Sequence, residues 1–298
     1  MRAPCRPSPL KIWWTAARPR TLPLAMTPVI LGTALAWAEG APHAWLPALA
    51  ALLCSLLIQA GTNIHNDVSD FEKGNDLPDR VGPLRITAAG WAPPATVRRV
   101  AVMVFTAAFV LGIYLANVGG WPIVAVGLAS LGAGWLYSGG PRPISHTPLG
   151  EICVFVFFGL VAVGGSHWLQ AGSLSLASFL GGCAIGAPAA AVLMVNNYRD
   201  MVGDRRAGRL TLASLLGPRA SRQFYVLLLL LPFAVPPLLA RTGHPWSLLA
   251  FLALPACLSL CARMGRSQPG PAMNEVLAGT ARASLLLGIL LSAGVSIA

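Results

Sequence analysis

Nine apolar segments, each long enough to cross a lipid bilayer, constrain this chain of 298 residues more than anything else in it. They run approximately from Leu22 to Glu39, Trp45 to Asn66, Thr96 to Ala116, Trp121 to Ser138, Leu149 to Leu169, Leu174 to Asn197, Phe224 to Ala240, Trp246 to Arg263 and Val276 to Ile297. Only 10% of the residues are charged, against about 25% in a soluble domain, so an ordinary aqueous fold is excluded. In lipid each backbone polar group must find its partner inside the protein, which makes these segments helices. Their internal Gly and Pro residues are compatible with that, because neighbouring helices re-satisfy the freed backbone groups. The expected fold class is all-α, a polytopic membrane protein of nine transmembrane helices. No linker or composition break divides residues 1–298, so one membrane-embedded domain is expected.

The 21 Lys and Arg residues sort unevenly between the two faces. Five precede the first segment, five lie around the second-to-third connection, one between the fourth and fifth, six between the sixth and seventh and two between the eighth and ninth. The opposite face has only Arg241, and Arg282 falls inside the last segment. Basic residues near span ends mark the cytoplasmic side, so the N-terminus is expected there and the C-terminus outside. The net charge of +11 then reflects topology and contact with anionic membrane lipid, with no need for nucleic acid. Residues 1–20 have four prolines and no continuous apolar core before a small-residue cleavage site, unlike a removed signal peptide. Lys11-Ile12-Trp13-Trp14 with Arg18 and Arg20 reads as an interfacial helix. The six cysteines form no CxxC and five lie within spans, where they act as small apolar residues.

Seven of the ten carboxylates gather in two clusters, each where an apolar segment runs out. The first contains Asn63, Asn66, Asp67, Asp70, Glu72, Asp76 and Asp79, and the second Asn196, Asn197, Asp200 and Asp204. Grouping acids in a chain that otherwise avoids them opposes Coulomb repulsion unless cations gather there too. Asn63, Asn66, Asp67 and Asp70 share one helical face, as do Asn197, Asp200 and Asp204 with Asn196 beside them. Hard cations such as Mg²⁺ take oxygen ligands, keep several waters and are commonly held by one or two carboxylates plus substrate phosphates. Around the acids Lys73, Arg80, Arg85, Arg205, Arg206 and Arg209 supply positive charge for phosphate oxygens. The clusters lie four spans apart, which suggests two repeated units facing each other across a central cavity.

These residues resemble the UbiA superfamily of intramembrane aromatic prenyltransferases, and within it the 1,4-dihydroxy-2-naphthoate polyprenyltransferase branch. The likeness extends to Ala17-Arg18-Pro19-Arg20-Thr21-Leu22-Pro23, Tyr137-Ser138-Gly139-Gly140-Pro141, Thr147-Pro148-Leu149-Gly150-Glu151 and Asn197-Tyr198-Arg199-Asp200. It covers the chain from about Arg18 to Gly217; the last three spans match only in hydropathy. The resemblance implies nine helices around a central cavity, in a bacterial cytoplasmic membrane with the site on the cytoplasmic side. It implies Mg²⁺-assisted departure of diphosphate from a polyprenyl diphosphate and attack by an electron-rich aromatic acid, with loss of its carboxylate as CO₂. Asp67, Asp70, Asp200 and Asp204 would hold the metal, with Asn63, Asn66, Asn196 and Asn197 completing or orienting the shell. The basic residues and Arg199 would bind substrate, Arg80 or Arg85 orienting the acceptor, and Tyr137 and Tyr198 would face the developing carbocation.

Two departures from the family pattern stand out. Five residues separate Asp70 from Asp76 where the pattern has three, which opens acceptor binding or proton transfer beside metal ligation as the role of Asp76. Arg209 stands where many relatives have Lys. Other readings are a hydroxybenzoate or homogentisate-type acceptor, and a secondary transporter, whose acids belong at mid-span rather than at span ends. The scattered histidines lack metal-ligand spacing, leaving His65 beside the first cluster as the one candidate. Glu151 is either a helix-dipole partner or a cavity acid. Gly159, Gly164 and Gly165 are expected to permit close helix packing.

Overall fold

A computed structural model describes residues 7–76 and 81–297. Among them there is no strand. The helices are α1 (Pro9–Ala17), α2 (Leu22–Ala38), α3 (Trp45–Glu72), α4 (Pro94–Gly119) and α5 (Trp121–Leu136). They continue with α6 (Gly150–Ala171), α7 (Leu176–Arg206), α8 (Leu212–Arg241), α9 (Pro245–Arg266) and α10 (Met273–Ser296). Eight helical stretches among the described residues, counting α1 and α2 as one, have the length and apolarity to cross a membrane. The chain is an integral, multi-span membrane protein. The expected fourth span forms α5, whose 16 residues cover only about 24 Å, short of the roughly 30 Å hydrocarbon core.

The largest core lies where α2, α7 and α10 meet, with Leu31, Leu35, Met194, Leu287 and Leu291 almost wholly buried. α6 crosses α7 through glycines: a Cβ on Gly159 would come within 2.4 Å of the Gly182 carbonyl oxygen. Of the three glycines expected to pack closely, Gly164 and Gly165 have ordinary clearance and Gly159 forms the crossing. Just there α6 widens into a π-helical stretch, Phe155–Val161. Such stretches re-aim side chains, and this one puts Phe157 and Phe158 on the wall of an internal cavity.

The N-terminal helix is more firmly held than an interfacial helix needs to be. Ile12 and Ala16 are buried against Ile64 and Val68 of α3 and Ile86, while Trp14 on the other face stays exposed. This contact places α1 at the same end of the bundle as the acidic end of α3.

Candidate active site

The cavity has a volume of about 1560 Å³ and two chemically distinct ends. One end, among Val29, Leu115, Ile123 and Leu169, is apolar and closed by a buried cluster of the same residues. The other collects Asn66, Asp70, Asp200, Asp204, Arg206 and Arg209 from the ends of α3 and α7 and the turn after α7. The two clusters recognised in the sequence thus meet across one space, close to the last residues of their helices and away from mid-span.

On α3 the face divides. Asp70 is 3% exposed and receives the Arg85 guanidinium, Asn75 Nδ2 at 3.2 Å and, at 4.0 Å, the approach of His146 Nε2. Arg85 also pairs with Asp76 at 3.0 Å and donates to the Asn66 carbonyl, so one fork joins the helix end to the following loop. Asp67 points elsewhere, contrary to the expectation of a metal ligand. Its two carboxylate oxygens each accept a 2.9 Å hydrogen bond, from the backbone N–H groups of Ile86 and Thr87, and it is absent from the cavity wall. A carboxylate saturated by two buried amides is a scaffold for that loop.

Asn63, Asn66 and Lys73 also have structural partners, while Asp79 lies outside the described residues. Asn63 lines the cavity but gives its amide to the Ala17 carbonyl at 2.9 Å and Thr21 Oγ1 at 3.0 Å, holding the turn between α1 and α2. In that turn Arg18 has φ +52°, a left-handed conformation unusual for a non-glycine residue, and its side chain lines the cavity. Asn66 Oδ1 accepts from the Ser138 hydroxyl, and the Ser138 carbonyl accepts from Lys73. Desolvation lowers the Lys73 amine from its ordinary pKa, and Asp70 opposes the shift. Lys73 therefore braces the α5 end and lies off the cavity wall. Arg80 lies outside the described residues.

On α7, Asn196, Asp200 and Asp204 all face the cavity. Arg199, 3% exposed, grips both oxygens of Asp200, with Nε at 2.8 Å and Nη2 at 2.6 Å, and also reaches Asn196 Oδ1 at 2.9 Å. Arg209 pairs with Asp204 at 3.3 Å. Two expected substrate ligands turn away: Arg205 donates to the Ser214 carbonyl, and Tyr198, fully buried, to the Ser267 carbonyl at 3.1 Å. Tyr198 cannot face a substrate, whereas Tyr137 lines the cavity. His65 stacks on Trp135 with centroids 4.1 Å apart, outside the cavity wall.

Three contributors were not legible as site residues. Phe157 and Phe158 read as two more apolar residues of a span, and only the π-helical stretch aims them inward. Asn274, in the first turn of α10, accepts from Arg199 Nη1 at 3.0 Å and donates to the Val81 carbonyl at 3.4 Å, touching both halves of the site. Its polarity beside Glu275 at a span start was the one available signal.

Among the described residues no three acidic, His or Cys side chains converge into a ready-made metal centre. Each cavity acid has a cationic partner instead. That donor set fits a hard divalent ion which arrives with phosphate and completes its oxygen shell from it, rather than one held by protein alone.

Acids at a helix-bundle mouth, guanidinium groups beside them and a long apolar recess are the features of a membrane site suited to a molecule with an anionic head and a long apolar tail. The chain belongs to the UbiA prenyltransferase family, whose pattern it matches over residues 25–290. It is 36% identical to the 1,4-dihydroxy-2-naphthoate octaprenyltransferase of Mycobacterium tuberculosis, covering 92% of this chain and 93% of the relative. It is likewise 36% identical to the Escherichia coli protein of the same name, covering 95% and 94%. A UbiA homolog from Archaeoglobus fulgidus, solved bound to GPP and Mg²⁺, shares the fold with a TM-score of 0.69 over 96% of this chain and 99% of that one, at 14% identity.

Proposed function

We propose that this prenyltransferase joins a polyprenyl group to 1,4-dihydroxy-2-naphthoate, releasing diphosphate and CO₂ and giving demethylmenaquinone in its reduced form. The observation that carries the reading is the union of two acid-bearing helix ends at the polar mouth of a cavity whose other end is apolar. The near-full-length relatives named for this acceptor favour it over a hydroxybenzoate or homogentisate ring.

Asp70, Asp200 and Asp204, with Asp76 within reach through Arg85, are the residues that would hold Mg²⁺, the metal present with GPP in the Archaeoglobus homolog. When bound there the ion supplies positive charge against the departing diphosphate oxygens. Arg206 and Arg209 at the mouth bind the phosphate oxygens. The bond between the prenyl carbon and its oxygen breaks with its electron pair going to diphosphate, the ring carbon that bears the carboxylate forms the new C–C bond, and its bond to the carboxylate then breaks with the electron pair returning to the ring as CO₂ leaves. Phe157, Phe158 and Tyr137 present aromatic faces to the cationic carbon, and the apolar recess keeps water from it. The basic-residue distribution supports a cytoplasmic side for this mouth and the N-terminus, the bacterial relatives support a bacterial inner membrane, and residues 1–298 act as one domain.

Purified protein given Mg²⁺, a polyprenyl diphosphate and a panel of aromatic acids tests the reading by product mass. Prenylated, decarboxylated naphthoquinol is expected. Transfer to hydroxybenzoate alone would reassign the acceptor, and no transfer to any ring would sink the proposal.

A further inference from the structure

Glu151 opens α6 beside the cavity and is only 2% exposed. Its Oε1 accepts the Asn197 amide Nδ2 at 2.9 Å, while Oε2 is buried without a hydrogen-bond partner among the described residues. A residue placed only to complement the α6 dipole has no reason to be sealed from water against an amide of another helix. The contact has a directional consequence. An amide has one donor end and one acceptor end, and a carboxylate accepts; Glu151 therefore fixes which way Asn197 is turned.

With Nδ2 committed to Glu151, the Oδ1 end of Asn197 is left for the cavity wall, where this residue lies with Tyr137. Asn197 stands one helical turn before Asp200, about 4.5 Å deeper in the bundle than the acids at the mouth. The mouth offers guanidinium donors for phosphate; one turn in, the wall offers a fixed amide acceptor. An acceptor in that position suits a hydroxyl, not an anion.

We propose that Asn197 Oδ1 accepts a hydrogen bond from a ring hydroxyl of the aromatic substrate, and that Glu151 is the positioning residue that sets the amide for it. This rests on the acceptor class assigned above. The bond withdraws the hydroxyl proton from the ring and leaves the ring carbons richer in electron density, which favours their attack on the prenyl carbon.

The test compares 1,4-dihydroxy-2-naphthoate with its two monohydroxy analogues, 1-hydroxy- and 4-hydroxy-2-naphthoate, using full-length protein, Mg²⁺ and one polyprenyl diphosphate. Asn197→Leu and Glu151→Leu should each raise the KM for the dihydroxy acid about tenfold, the worth of one buried hydrogen bond. The KM for the diphosphate should move less than twofold. Glu151→Gln retains the Oε1 acceptor and should recover most of the loss. With the monohydroxy analogue that lacks the recognised hydroxyl the penalty should disappear. An equal penalty on all three acids, or one falling on the diphosphate KM, would overturn the inference. Binding of the naphthoates followed by the tryptophan fluorescence of the protein separates this from the function itself: the same hydroxyl-dependent loss of affinity without any transfer leaves the subsite standing and overturns the reaction, whereas no hydroxyl dependence in binding overturns the subsite.

Discussion

The ends of α3 and α7 carry similar strings of Asn and Asp, yet they spend them differently. On α7, Asn196, Asp200 and Asp204 all reach the cavity, and the counter-charge comes from Arg199 next door in sequence and Arg209 in the adjoining turn. On α3 one carboxylate is withdrawn: Asp67 holds the Ile86 and Thr87 amides, and the loop so fixed returns Arg85 to Asp70 and Asp76. One half-site is built within a helix and its exit, the other by a helix and a folded-back loop. Similar motifs at two corresponding span ends therefore do not imply similar roles at corresponding positions.

The sharpest way to break this comparison is to neutralise one cavity acid on each helix. Asp200→Asn and Asp70→Asn should each lower kcat about a thousandfold while thermal unfolding in detergent moves little, since charge stabilisation at the reacting centre is lost. An Asp70→Asn protein with near-normal turnover would show that only the α7 half handles diphosphate. Arg85→Lys should cost about a hundredfold in kcat/KM, because a point charge cannot bridge Asp70, Asp76 and the Asn66 carbonyl together; a loss under threefold would mean that the loop half needs only charge. Asp67→Ala should act on stability instead, exposing two orphaned amides at about 2–4 kcal/mol, with the apparent Mg²⁺ requirement of the remaining folded enzyme unchanged. A raised Mg²⁺ requirement there would restore Asp67 to the metal site. Tyr198→Phe, which removes one hydrogen bond to Ser267, should cost about 1 kcal/mol of stability and leave the product spectrum alone.

Much of this was readable from residue order, and the limits have physical causes. Apolar runs of bilayer length predict helices because lipid leaves the backbone no other partner, and two corresponding span ends with matching acids predict half-sites that face each other across one cavity, as they do. The direction of Asp67 was not readable. Asn66, Asp67 and Asp70 share a helical face about 100° wide, and spacing alone cannot say which edge of that face borders a cavity and which a loop. That depends on Ile86 and Thr87, nineteen and twenty residues further on. Tyr198 failed for a similar reason: it sits between two site residues in sequence, but the same 100° step per residue turns it onto the Ser267 side of the helix. Phe157 and Phe158 depended on a π-helical widening that leaves no mark in composition.

The link made by Asn274 bears on how the protein is produced. Arg199 of α7 and the Val81 carbonyl after α3 are joined through a side chain on the last helix, and Leu277, Ala281 and Leu285 of that helix wall the same cavity. As the chain leaves the ribosome, α3 and α7 enter the bilayer long before α10 does. Their half-sites remain an open cleft until α10 inserts, so truncation at the start of α10 removes the enclosure while sparing every cavity acid. Turnover thus reports that α10 has inserted.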